Sequence, residues 1–210
     1  MCAAEGELST RKEREQRFRI DLVLDAAVEL FVESSYEETS VEAIARRAEI
    51  SVATLYTLFD SKRDIYKATI RRALDRFFVG LDARLDQARG PLEQVRELMR
   101  FHLDHFTLEA RNFRSFTDTG NVAGMQIKSE VEREPSENKV EFFKRLIEIC
   151  QAGIDEGIFK KGLAPELMAL ALMSVPHSIL SYWLEHEGRE LSSLLPQALE
   201  MVERVTGASF

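Results

Sequence analysis

Two helix starts only ten residues apart, in the stretch SVATLYTLFDSKRDIY (Ser51 to Tyr66), limit the fold of this chain more than any other feature. Ser51 and Ser61 are each placed to accept a backbone N–H at the head of a helix, and Asp60 ends the segment between them. Leu55, Leu58 and Phe59 fall at i, i+3 and i+4, so one face of this short rod is buried. The other side presents Val52, Ala53, Thr54, Tyr56 and Thr57. A helix of about two turns is marginal alone in water, so its neighbours must hold it.

Those neighbours also read as helices. A first helix is predicted over Gln16–Ser34, with Ile20, Leu24, Ala27, Leu30 and Phe31 on one face, and SSYEE breaks it. Thr39 then caps a second helix, with Glu42 three residues on as its capping-box partner and Val41, Ile44, Ala45 and Ala48 facing inward. Ser61, with Asp64, starts a fourth helix that runs through RDIYKATIRRALDRFFVGLDARLDQ. Further helices are predicted over 92–109, 136–156, 166–186 and 191–205, with a looser pattern over 117–135 and a kink at Pro176. No run of alternating β-branched residues suggests a strand, so the fold class is all-α.

Three short helices joined by tight turns, the third with a small-residue outer face, describe a helix-turn-helix unit. A recognition helix must be short and unencumbered to enter a major groove about 12 Å wide. Ser51, Thr54 and Thr57 offer hydroxyls, Val52 and Ala53 suit thymine methyls, and Tyr56 reaches a phosphate oxygen. Thr39, Ser40 and Lys62 lie at helix starts that favour a phosphate, and Arg46 adds a cation. The predicted organisation is an arm over 1–15, the helix-turn-helix domain over 16–62, and a helical ligand-binding and dimerisation domain over 63–210.

The run from Ala26 to Ile70 resembles the DNA-binding domain of the tetracycline-repressor (TetR) family. The matching signals are ELF and the following Tyr36 before TSVEAIA, the IS turn, TLY, Phe59 and SKRDIY, in the expected order. The rest of the chain, AGIDEGIFKKGLAPELMALAL included, is similar only by type to that family's ligand-binding, dimerising domain. The family usually has Gly where Ser35 and Glu49 stand, which implies a left-handed turn at Glu49 with its charge near phosphate. It often has Lys or Arg with Gly where Val52 and Ala53 stand; Arg46, Arg47 and the cations Arg11, Lys12, Arg14 and Arg17, read as a minor-groove arm, are placed to compensate.

The formal charge of −8 argues against a generally basic nucleic-acid binder. Residues 1–80 hold 13 basic and 15 acidic side chains, so any DNA contact must be local. No signal-peptide core precedes the first helix and no apolar run is read as a membrane span, so a cytoplasmic protein with no membrane partner is expected. Cys2 and Cys150 suggest neither a disulfide nor a thiolate metal site.

Beyond the first domain, Phe101, Phe106, Phe113, Phe116, Phe142 and Phe143, with Met99, Met125 and Met173, suit an adaptable apolar pocket, a pocket the resemblance also implies. His105 and His177 are its candidate polar groups. No cofactor is expected. A divalent metal at His102 and His105, with His177 or Glu109 as third ligand, is the alternative. The last two helices are too apolar for one exposed face each. Leu172, Val175, Ile179, Tyr182 and Trp183 on one, with Leu195, Ala198, Met201, Val202 and Val205 on the other, are the expected homodimer interface. The sequence thus predicts a non-enzymatic, ligand-responsive regulator, a repressor released from a double-stranded DNA operator by a small-molecule effector. The rivals are an all-helical metal protein or enzyme, and an adaptor on the same fold that has lost DNA binding.

Overall fold

The computed structural model describes residues 10–108, 122–134, 136–186 and 190–209, excluding the side chains at 108, 122–125, 128 and 132. Every extended element among them is helical: α1 (Arg11–Glu38), α2 (Val41–Arg47), α3 (Val52–Leu58), α4 (Lys62–Leu85), α5 (Gly90–Leu108), α6 (Val122–Arg133), α7 (Glu137–Asp155), α8 (Pro165–Glu185) and α9 (Leu195–Thr206), with a 3-10 turn at Leu191–Leu194 before α9.

Capping chemistry sets most of the boundaries. Glu13 N–H donates to the Thr10 hydroxyl at 3.3 Å while the Glu13 carboxylate accepts from Thr10 N–H at 2.7 Å. This reciprocal box starts α1 at Arg11, ahead of the predicted Gln16. The predicted break in SSYEE falls on Ser35, at φ 72° and ψ 167°, a region that favours glycine. Ser40 caps α2 in place of Thr39: its hydroxyl accepts from Ala43 N–H at 3.1 Å. Ser51 caps α3 by accepting from Thr54 N–H at 3.0 Å, as expected. Ser61 accepts from Asp64 N–H at 3.2 Å and donates to the Asp64 carboxylate at 2.6 Å.

The helices form two compact units. The first comprises the described residues through Arg71 together with α6 as far as Val131. In it α1, α2 and α3 pack on one another around Val23, Leu24, Ala27, Phe31, Ile44, Ala45 and Leu55. The second comprises Arg72 to the end of α5, and Glu132 onward. The division therefore falls inside α4, several residues beyond the predicted boundary after Lys62.

In the second unit α5 packs against α7, α8, α9 and the 3-10 turn, α7 against α8, and α8 against α9. One continuous apolar cluster runs through them, with Leu81, Leu98, Met99, Leu146, Leu172 and Val202 fully enclosed. Beyond α7 the chain folds back so that the Phe159 ring lies on Gly153 within the last turn of that helix, where a Cβ would overlap it. Cys150 is a free thiol inside this core, and burial pushes its pKa up to about 12. α8 corrects one expectation. It is 21 residues long and contains an 18-residue window with a mean hydropathy of 1.4, enough by length and composition to cross a membrane. In the fold that apolarity covers the unit's own core through Met168, Leu172, Val175, Ile179, Leu180 and Trp183. The helix continues through Pro176 to Glu185.

Candidate nucleic-acid interface and ligand site

α3 buries Leu55 completely and leaves Tyr56 half exposed. Ala53, Tyr56 and Thr57 are its exposed residues, at i, i+3 and i+4, so they share one face. Val52 and Thr54 are half-buried beside them. The Ser51 and Thr54 hydroxyls lie 2.8 Å apart, and the Thr57 hydroxyl donates to the Thr54 carbonyl at 2.6 Å. These internal bonds hold the Ser51, Thr54 and Thr57 hydroxyls within the helix. It carries no charge of its own. Ser40 and Arg46 are exposed at either end of α2.

Two residues expected at the phosphates have other work. Lys62 Nζ donates to the carbonyls of Tyr36 at 2.7 Å, Thr39 at 2.9 Å and Glu37 at 3.3 Å. It also lies 4.5 Å from the centre of the Tyr36 ring. An ammonium has three hydrogens, and all three are engaged. Lys62 therefore ties off the carbonyls at the end of α1, and its partial burial lowers its pKa. Thr39 is buried, and its hydroxyl donates to Ser35 O at 2.6 Å and reaches Leu30 O at 3.3 Å. Its side chain braces the α1–α2 turn from inside. Arg47 is held by Glu29 at 2.8 Å and Glu33 at 3.0 Å. Arg11 pairs with Glu15 at 2.9 Å within α1.

The turn between α2 and α3 has the backbone the resemblance implied. Glu49 sits at φ 56°, in the left-handed region, and is exposed. Tyr36, part of the same motif, packs against Tyr66 with ring centroids 4.8 Å apart, and Tyr66 meets Phe31 edge-on at 4.9 Å. This aromatic set and Lys62 lock the end of α1 to the start of α4.

In the second unit the candidate ligand residues Phe101, His105, Phe106, Phe143 and Met173 are half-buried and His177 is exposed. Phe113 and Phe116 lie outside the described residues, as does the side chain of Met125. Phe77, which the sequence pattern did not single out, organises the group. Its ring lies 5.5 Å from Phe101, 5.8 Å from Phe106, 5.0 Å from His105 and 4.8 Å from His102. His102, not His105, is the buried polar member. Burial depresses its pKa to about 3, with the backbone bond to Leu98 opposing and His177 and His105 adding to the depression. The ring is therefore neutral at physiological pH. Among the described residues no three His, Cys, Asp or Glu side chains gather to hold a metal ion.

Most of the expected dimer residues face inward. Leu172, Val175, Ile179, Trp183, Ala198 and Val202 are buried in the unit's own core. Leu195 and Val205 are half-buried, and only Tyr182 and Met201 are exposed. The apolar surface of α8 is instead at Leu167, Leu170 and Tyr182, 56%, 52% and 44% exposed. Helix periodicity identified α8 as unusually apolar, but a helix apolar on nearly every side gives no phase from which to choose its outer face.

Comparison with known proteins places this architecture. Residues 23–69 match the family described as bacterial regulatory proteins, tetR family. The chain is 24% identical over 169 residues to the transcriptional activator FasR of Mycolicibacterium smegmatis, a match covering 79% of this chain and 72% of that protein. It is 38% identical over 85 residues to the transcriptional repressor KstR of Mycobacterium tuberculosis, covering 40% of this chain and 36% of that protein. Its fold is similar to that of the transcriptional regulator FadR from Bacillus subtilis, crystallised with stearoyl-CoA, at a TM-score of 0.67 and 20% identity over 87% of this chain and 96% of that one. The matched segment spans α2, α3, the αL turn and the aromatic lock described above, and residues 23–69 form a domain of the tetR family of bacterial regulatory proteins.

Proposed function

We infer that the chain is a cytoplasmic repressor, without enzymatic activity, that binds operator DNA as a homodimer and lets it go when an acyl thioester of coenzyme A enters the second unit. The uncharged face of Ala53, Tyr56 and Thr57 reads base edges and methyls in the major groove. The two half-sites of the dimer lie about 34 Å apart or slightly more. The exposed row of Leu167, Leu170 and Tyr182 on α8 supplies the partner surface.

The observation that carries the effector class is the aromatic group around Phe77, whose members Phe101, His105 and Phe106 are half-buried rather than sealed. Such side chains can part to admit an apolar chain. The stearoyl-CoA bound by the B. subtilis FadR supports the thioester class. α4 is continuous from Lys62 to Leu85 and carries Phe77. Displacing Phe77 therefore moves the helix whose first residue anchors the end of α1. A coupling of about 1–3 kcal/mol suffices for a 5- to 150-fold loss of DNA affinity. No cofactor is required.

The test is to select genomic fragments on the purified protein, then follow fluorescence anisotropy of a selected fragment during titration with stearoyl-CoA, stearate and free coenzyme A. Release by the ester alone is expected. A complex indifferent to acyl esters of every chain length removes the effector reading.

A further inference from the structure

His102 has a lone pair with nothing to accept. Its side chain is almost completely buried, and Nδ1 lies 2.8 Å from the Leu98 carbonyl. A carbonyl oxygen only accepts, so the ring N–H is on Nδ1 and the lone pair is on Nε2. That Nε2 is buried and has no hydrogen-bond partner among the described residues. The ring stands steeply against Phe77 at 4.8 Å, with Phe106 and His177 each 6.4 Å away. His177 holds its own Nδ1 2.7 Å from the Met173 carbonyl, so that nitrogen has its partner on its own helix.

We propose that His102 Nε2 is a specificity-determining atom for the effector, accepting a hydrogen bond from a hydroxyl carried on the acyl chain. The proposal rests on the acyl-thioester reading above. A buried acceptor left unmet keeps the full penalty of its lost water. A saturated chain in the aromatic group leaves it unmet. A ketone, a carboxylate or the thioester carbonyl sets lone pair against lone pair. An ammonium donor would have to lose its hydration in apolar surroundings, at far greater cost than a neutral O–H. A chain hydroxyl meets the lone pair with one bond, and the phenylalanines cover the methylenes around it. The protein then responds to hydroxylated acyl thioesters ahead of saturated ones.

Calorimetric titration of the purified full-length protein with stearoyl-CoA and with its 3-hydroxy and 12-hydroxy forms tests this. One hydroxylated ester is expected to bind about ten- to a hundredfold tighter than stearoyl-CoA. His102→Leu removes the lone pair and should bring the esters within about threefold of each other. The 15N resonance of His102 Nε2 in the wild-type protein gives a readout that needs no variant. It should move upfield with the preferred ester and stay in place with stearoyl-CoA. Equal affinity for all the esters with an unmoved resonance overturns the assignment while leaving the thioester reading intact. Binding of no ester overturns both.

Discussion

Acid should weaken this fold through one histidine, and the size of the effect follows from its surroundings. His102 is buried beside Phe77 and Phe106, with His105 on its own helix and His177 on α8 as the titratable groups around it. Burial lowers its pKa from 6.5 to about 3. The unfolded chain therefore takes up a proton near pH 6.5 that the native protein refuses. Stability is flat above pH 6.5, falls between pH 6.5 and 3, and levels off below. Each unit of pH in that window costs about 1.4 kcal/mol. At pH 5.0 the loss is about 2 kcal/mol, and this figure is set by the unfolded value, because any native pKa below about 4 gives the same result. The assay is urea unfolding at pH 7.5 and 5.0 and one protein concentration, followed by the fluorescence of Trp183, the only tryptophan. His102→Leu controls for the carboxylates and the other histidines, which titrate in both proteins. The wild type should lose about 2 kcal/mol more than the variant on acidification. Equal losses would refute the burial argument, as would a His102 ring proton shift that titrates near pH 6.

Two further outcomes follow from the first unit. Lys62→Met should lower stability by about 2 kcal/mol, because it strands three carbonyls bonded to a cation. It should leave the slope of log DNA affinity against log salt unchanged, and a slope about one unit shallower would return Lys62 to the phosphates. Glu49→Gln and Glu49→Gly separate the charge of that residue from its left-handed backbone. Both should raise operator affinity at low salt, but only the glycine should add stability, by at most about 1 kcal/mol. Identical urea midpoints for the two variants would show that φ 56° carries no strain.

The parts of this fold that could be read from sequence are those set by residues near one another in the chain. Ser51 capping α3 and the break in SSYEE depend on contacts within four residues, and the buried Leu55 announces itself through its local spacing with Leu58 and Phe59. The αL turn at Glu49 was legible only through the family resemblance, since nothing in AEIS demands it locally. Thr39 and Ser40 show how small the margin is. Both are good N-caps, and Thr39 has the acidic partner three residues on. The choice was made by Leu30 and Ser35, whose carbonyls draw the Thr39 hydroxyl inward. That bond spans nine residues in one case, and no periodicity announces it.

Lys62 has bonds that its sequence neighbours do not show, and its position bears on how the protein meets DNA. A lysine after a helix cap near a recognition helix looks like a phosphate contact when only sequence neighbours are considered. In the fold it faces the end of α1 at Glu38, where the Tyr36, Glu37 and Thr39 carbonyls have no helical donors. Only a long, flexible cation with three donors serves all of them at once. Arg47 is similarly engaged by Glu29 and Glu33. The first unit thus uses Lys62 and Arg47, among others, to hold its own helices, and α3 has no cation. Non-specific attraction to the duplex is correspondingly small, and an overall charge of −8 reduces it further. On the proposed function, a weak non-specific term would raise the share of affinity that must come from matched contacts of Ala53, Tyr56 and Thr57 with base edges, methyls and backbone. A regulator built this way would occupy few random sites, and losing a modest part of its matched contacts would be enough to clear the operator.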